Sequence, residues 1–105
     1  MITIQDAAQH MGIDYLDDVV TVNLQKAVSS ATYRLYGSVG RDVEEYLPGD
    51  ARIETLLLIY TEEAYDNHVG SAKQDSAKNH LRDLYELQLK LELKQAKEAA
   101  GGEGE

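Results

Sequence analysis

Glu62, Glu63 and Asp66 are the residues of this sequence best spaced for chemistry. Glu63 and Asp66 stand three apart, so on a helix they share a face and could hold one magnesium ion between them. A magnesium hydrolase built this way needs a second acidic pair on a preceding helix. The only candidates, Asp42 with Glu45, fall in a stretch that reads as a loop. The plainer expectation is that these acids form the solvated face of a helix whose other side carries Leu56, Leu57 and Tyr60. His10, His68 and His80 lie far apart, and none has a second ligand at zinc spacing. Asp14, Asp17 and Asp18 lack the alternating spacing and glycine of a calcium loop, and read as helix capping. With no cysteine, no phosphate-binding glycine loop and no nucleophile elbow, the chain is expected to be neither an enzyme nor the holder of a metal or cofactor.

The elements that would position these side chains are helical. Thr3 can cap a first helix through the amide of Asp6, with Ile2 and Ala7 placed for a staple, and Gly12 should end it. After a second start signal at Asp14, Asp17 and Asp18, the positions Val20, Leu24, Ala27, Val28, Ala31 and Leu35 repeat as one buried helical face, with Gly37 placed to stop it. Residues 37–50 read as a connection, closed by the turn Leu47-Pro48-Gly49-Asp50, and Asp50 can cap the next helix. There Ile53, Leu56, Leu57, Tyr60 and Ala64 make one stripe, while Leu58 and Ile59 add apolar surface on another side. A helix apolar on more than one side is usually central. Gly70 is placed to cap its end.

From Ser71 to about Ala100 no proline or glycine interrupts a run of good helix formers, which predicts one long helix. Leu87, Leu89, Leu91 and Leu93, however, alternate with polar residues at the two-residue period of a strand. On a helix, Leu87 and Leu91 would lie on one face and Leu89 and Leu93 nearly opposite; on a strand all four would face one way. The flanks favour helix, and either conformation leaves apolar surface that calls for a partner. The fold expected is thus all-α, a small bundle of about four helices with a long C-terminal segment able to extend from it. The divisions are a core over 1–70, a C-terminal helix or arm over 71–100 and a flexible acidic, glycine-rich tail over 101–105.

Composition narrows the partners. At 105 residues there is room for one domain. The formal charge is −9, and residues 1–70 hold twelve acidic against four basic side chains. No cluster of Lys or Arg could neutralise phosphates, so specific nucleic-acid binding is disfavoured, although an acidic wall could line a passage through which DNA slides. All seven aromatic residues are tyrosines, a type enriched at interfaces. The longest apolar run, Leu56 to Tyr60, is far short of a membrane span, and no signal-peptide pattern opens the sequence; the protein is expected in the cytoplasm.

The order of segments over residues 1–68 resembles the head-to-tail connector (adaptor) proteins of tailed phages. The resemblance rests on Thr3, Met11, Ile13, Asp14, Asp17, Asp18, Leu24, Ala27, Tyr36 and Gly37, then on Ile53, Leu56 to Tyr60, Tyr65 and Asn67. Gly12 departs from a usually basic position, and His68 stands where a closing arginine is usual. The resemblance implies a structural virion protein of the neck, assembled in the host cytoplasm. It would form a homo-oligomeric ring bound to the portal on one side and to a stopper or tail-completion protein on the other, with DNA passing through unbound. Ring contacts are heterologous and need two complementary surfaces. The expected suppliers of those surfaces, or of the portal interface, are Leu58, Ile59, Leu84, Leu87, Leu89, Leu91 and Leu93. The expected acidic channel or solvent face is Asp42, Glu44, Glu45, Glu62, Glu63 and Asp66. The C-terminal segment is expected to dock on the portal, as a helix in a groove or as an added strand.

Two other readings stand beside this one. A helical interaction module could dimerise through the C-terminal leucines, although Leu89 and Leu93 fall off the seam begun by Leu84, Leu87 and Leu91. Glu63 with Asp66 also resembles the half-motif of the all-α, magnesium-dependent nucleotide pyrophosphohydrolases.

Overall fold

The computed structural model describes the backbone of residues 2–69 and 76–102 and the side chains of residues 2–66 and 79–100. Among the described residues five helices follow in order: α1 (Ile4–Met11), α2 (Asp18–Ser38), α3 (Val43–Tyr46), α4 (Ala51–Val69) and α5 (Ser76–Gly102). Among the described residues there is no strand, and the fold is all-α.

The start and stop chemistry read from the sequence is in place. The Thr3 hydroxyl accepts from the Asp6 amide at 3.1 Å while the Asp6 carboxylate accepts from the Thr3 amide at 2.9 Å, a reciprocal cap. Gly12 closes α1 at φ 71°, the left-handed conformation that glycine adopts at least cost. Of the three early aspartates, Asp17 is the cap of α2, accepting from the Val20 amide at 2.8 Å. The Asp50 carboxylate accepts from the Arg52 amide at 2.9 Å and starts α4.

Two boundaries differ from expectation. Helix α2 runs through Gly37 to Ser38, because no positive φ is required there and the chain turns only at Gly40. The expected loop over 37–50 contains the single turn α3, formed because Val43 is fully buried and anchors the connection to the core. The Gly70 cap lies outside the described residues. Of the expected flexible tail, Gly101 and Gly102 belong to α5 and residues 103–105 lie outside the description.

Helix α4 is central. It packs against α1, α2 and α5, and buries Ile53, Leu56, Leu57, Ile59, Tyr60 and Thr61 around much of its circumference. Leu24, Ala27, Ala31 and Leu35 of α2 meet it from one side, small residues letting the two helices approach closely. Helix α5 lies on another side, held by Leu89 and Leu93 with Tyr85. The alternating leucines are therefore helical, and they divide. Leu89 (0% exposed) and Leu93 (2%) enter the core, whereas Leu84 (40%), Leu87 (56%) and Leu91 (52%) face outward.

The molecule measures 53 × 28 × 18 Å. Its radius of gyration, 15.3 Å, exceeds the roughly 13 Å typical of a compact chain of this length. A body 18 Å thick holds only about two helix diameters, so no helix can be covered on every side.

Candidate functional site

Polar chemistry in this structure is concentrated between helices, where it locks α5 and α2 onto α4. Arg52, in the first turn of α4, uses all five of its N–H donors. It donates to Asp50 at 2.6 and 3.0 Å, to Glu92 at 2.5 and 2.7 Å and to Gln88 at 3.2 Å, tying the start of α4 to the middle of α5. Its hydrogen bonds hold the Asp50 and Glu92 carboxyls below their ordinary values, and Glu92 and then Asp50 hold the guanidinium well above its own.

Three turns further along α4, Glu63 accepts from Arg34 of α2 and from Arg82 of α5, at 2.6 Å each and through different oxygens. Burial of Arg82 disfavours its charge, but Glu63 and Asp83 outweigh that and keep its pKa raised. The Arg34 guanidinium also lies 4.3 Å from the centre of the Tyr60 ring. The Tyr60 hydroxyl donates to Glu86, and its pKa is pushed up, first by burial and then by that bond. Near the far end of α5, Lys97 pairs with Asp42 at 3.1 Å and stands 5.9 Å from the Tyr46 ring. His10 of α1 meets Glu62 at 3.1 Å.

These pairings disperse the acids singled out in the sequence. Asp42, Glu62 and Glu63 each have a cationic or histidine partner on another segment, Glu45 is exposed, and Asp66 is half-buried. Glu44 lines a shallow 210 Å³ cleft with Asp50 and Glu54 at the start of α4, away from Glu62, Glu63 and Asp66. Asp42 and Glu45 flank or occupy α3, and are not brought to Glu63. With both Glu63 oxygens occupied by arginines, a magnesium site at Glu63 and Asp66 has no geometric support. Among the described residues no group of three or more His, Asp or Glu is arranged to hold a metal ion. The His68 side chain lies outside the description, and no helix among the described residues is long and apolar enough to cross a membrane.

The apolar set also divides. Ile59 and Leu89 are used inside the subunit, Leu58 is half-buried beside Ile2 and His10 in a 330 Å³ cleft, and Leu93, 2% exposed, reaches the surface only at the floor of a groove where α5 passes the end of α2. Leu84, Leu87 and Leu91 offer a free apolar face. A second surface was not anticipated: Tyr15 (75% exposed), Leu16, Val19 (69%), Val22 and Tyr33 lie along the outer side of α2 and the loop before it. The signal for it was present. Val19 and Val22 are apolar, three apart, and off the stripe that runs from Val20 to Leu35.

One groove combines apolar and charged chemistry. It encloses about 410 Å³ where α5 passes the end of α2, with Val39, Leu91 and Leu93 as its apolar lining and Lys90, Lys94 and Lys97 at its edge. Glu98 also lines it. Lys97 is engaged by Asp42, whereas Lys90 and Lys94 are exposed. No protein-family model, no curated protein and no solved structure matches this chain.

Proposed function

We propose that this chain is a structural subunit of a tailed-phage head-to-tail connector. Copies form a ring beneath the portal, meet a stopper or tail-completion protein on the opposite side and leave a passage for DNA. The observation that carries the reading is the pair of separate apolar surfaces on the two helices that flank α4. One is Tyr15, Leu16, Val19, Val22 and Tyr33; the other is Leu84, Leu87 and Leu91. Tyr15, Leu16, Val19 and Val22 cluster at the start of α2, with Tyr33 three turns on beyond Gln25, Lys26, Ser29 and Ser30. Exposed apolar clusters on a small protein mark interaction sites, and two non-equivalent ones suit head-to-tail contacts, which close into rings when the rotation allows.

The resemblance in segment order over residues 1–68 supports the connector reading. The −9 charge suits a wall past which a duplex slides instead of sticking. Glu62 and Glu63, paired within the subunit, contribute less bare charge to such a wall than their number suggests. Negative-stain imaging of the purified protein, with and without purified portal, tests the proposal. Rings that decorate the portal are expected, and particles no larger than dimers that ignore it would overturn it.

One observation favours a second reading. Because Leu89 and Leu93 turn inward, Leu84, Leu87 and Leu91 are left as a clean i, i+3, i+7 seam through which two copies could pair symmetrically. The next positions in register, Lys94 and Glu98, are charged, so the seam spans only about 10 Å. Stoichiometry separates the two: the seam alone gives a dimer, the two-surface arrangement a larger closed assembly.

A further inference from the structure

We infer that the groove lined by Val39, Leu91 and Leu93 is the seat for the Asp14–Val19 segment of a second copy of this chain. This inference rests on the ring reading and names the contact that builds the ring.

The segment is an exposed apolar knob set among acids. Tyr15 and Leu16 project from the loop before α2, Val19 follows on its first turn, and Asp14, Asp17 and Asp18 surround them. Asp17 is occupied as the helix cap, which leaves Asp14 and Asp18 exposed without an ion pair among the described residues. The groove is the counterpart in both respects. Its floor is apolar, formed by Val39, Leu91 and Leu93, and its volume of about 410 Å³ falls within the usual range of binding pockets. Its rim carries four exposed charged residues: Lys97 is engaged by Asp42, Glu98 is acidic, and Lys90 and Lys94 have no ion pair within the subunit among the described residues, which leaves the rim with a basic excess. Two unpaired acids beside an apolar projection thus match two unpaired bases beside an apolar recess, the arrangement that steers encounter and fixes register.

Placement makes the contact intermolecular. The knob sits at the N-terminal end of α2 and the groove at its C-terminal end, where Val39 is the C-cap. The 21 residues of α2 separate them by about 30 Å. No copy can fill its own groove, and a knob that enters the groove of the next copy without a knob being returned leaves a free knob and a free groove at the two ends. Such a contact propagates until it closes. The knob is also held ready, since Ile13 packs against the core on one side and the capped α2 begins on the other, so little freedom is lost on docking.

Charge exchange tests the pairing. Lys90→Glu/Lys94→Glu makes groove and knob both acidic; Asp14→Lys/Asp18→Lys makes both basic. Sedimentation velocity over a concentration series, with circular dichroism to verify helical content, is run on wild type, each double variant and their equimolar mixture. Each variant alone should need about tenfold or more protein to assemble, because like charges face each other. The mixture should recover wild-type behaviour, since every contact then joins opposite charges. Tyr15→Ser, at a site too exposed to affect folding, should lose assembly likewise. If the variants assemble as wild type does, or the mixture fails to recover, the pairing is overturned while an assembling subunit stands. If wild type itself never assembles, the ring reading falls and this contact with it.

Discussion

Replacing Leu89 and Leu91 one at a time with alanine distinguishes side chains only two residues apart. Leu89 is fully buried between α5 and the core, and truncating a buried leucine costs about 2–5 kcal/mol. Helix α5 is held along one face and can settle inward, which favours the lower part of that range, about 2–3 kcal/mol. For a domain of this size each kcal/mol moves Tm by roughly 4–8 °C, so Leu89→Ala should melt roughly 10–20 °C below wild type. Leu91 is 52% exposed and contacts no other subunit in dilute solution, so Leu91→Ala should change stability by no more than about 0.5 kcal/mol. The assay is thermal unfolding by far-UV circular dichroism at the lowest practical concentration, because assembly would stabilise wild type by mass action. Equal losses at the two positions, as four leucines on one face of a strand would give, would refute the division of this helix into an inner and an outer leucine row.

Other outcomes follow from the same geometry. Gly40 has φ 154°, and a Cβ there would run into the buried Leu93 side chain. Gly40→Ala should therefore lower stability by about 2–4 kcal/mol in chemical denaturation, and adding Leu93→Ala should relieve the collision but not the backbone strain. Asp50 and Glu92 have folded pKa values depressed by Arg52, so their contribution is present at neutral pH and is lost as the pH falls below about 4.3 and through those lowered values. The Tm gap between wild type and Arg52→Met should accordingly hold from pH 7 down to about 4.3 and narrow progressively below it, and a gap that is unchanged at low pH would contradict the clamp. Leu91→Asp should leave the monomer folded but raise the concentration at which light scattering detects assembly, an effect that scattering indistinguishable from wild type would rule out.

Local chemistry was legible in the sequence where a side chain acts on its own neighbourhood. Thr3, Gly12, Asp17 and Asp50 announce helix ends because capping is a contact over two or three residues, and the stripes from Val20 to Leu35 and from Ile53 to Tyr60 announce buried faces because burial repeats with the helix. What was not legible depends on distant partners. Nothing near Glu63 in sequence says that Arg34 and Arg82, 29 and 19 residues away, occupy its two oxygens. The row from Leu87 to Leu93 carries helix propensity and strand period together, and only packing on the core decides which leucines remain outside. The α2 surface around Val19 was obscured by the stronger stripe beside it. Residues 37–50 read as loop because a single turn anchored by Val43 is too short to show a period.

The claim on which the account depends is that one copy leaves more apolar surface uncovered than a stable monomer tolerates, and that other copies cover it. Sedimentation velocity of the purified wild-type chain from low to the highest soluble concentration measures this directly. The expected result is a shift from monomer to a single closed species larger than a dimer. A monomer that persists at every concentration, with Tyr15, Val19, Leu87 and Leu91 left in water, would contradict it.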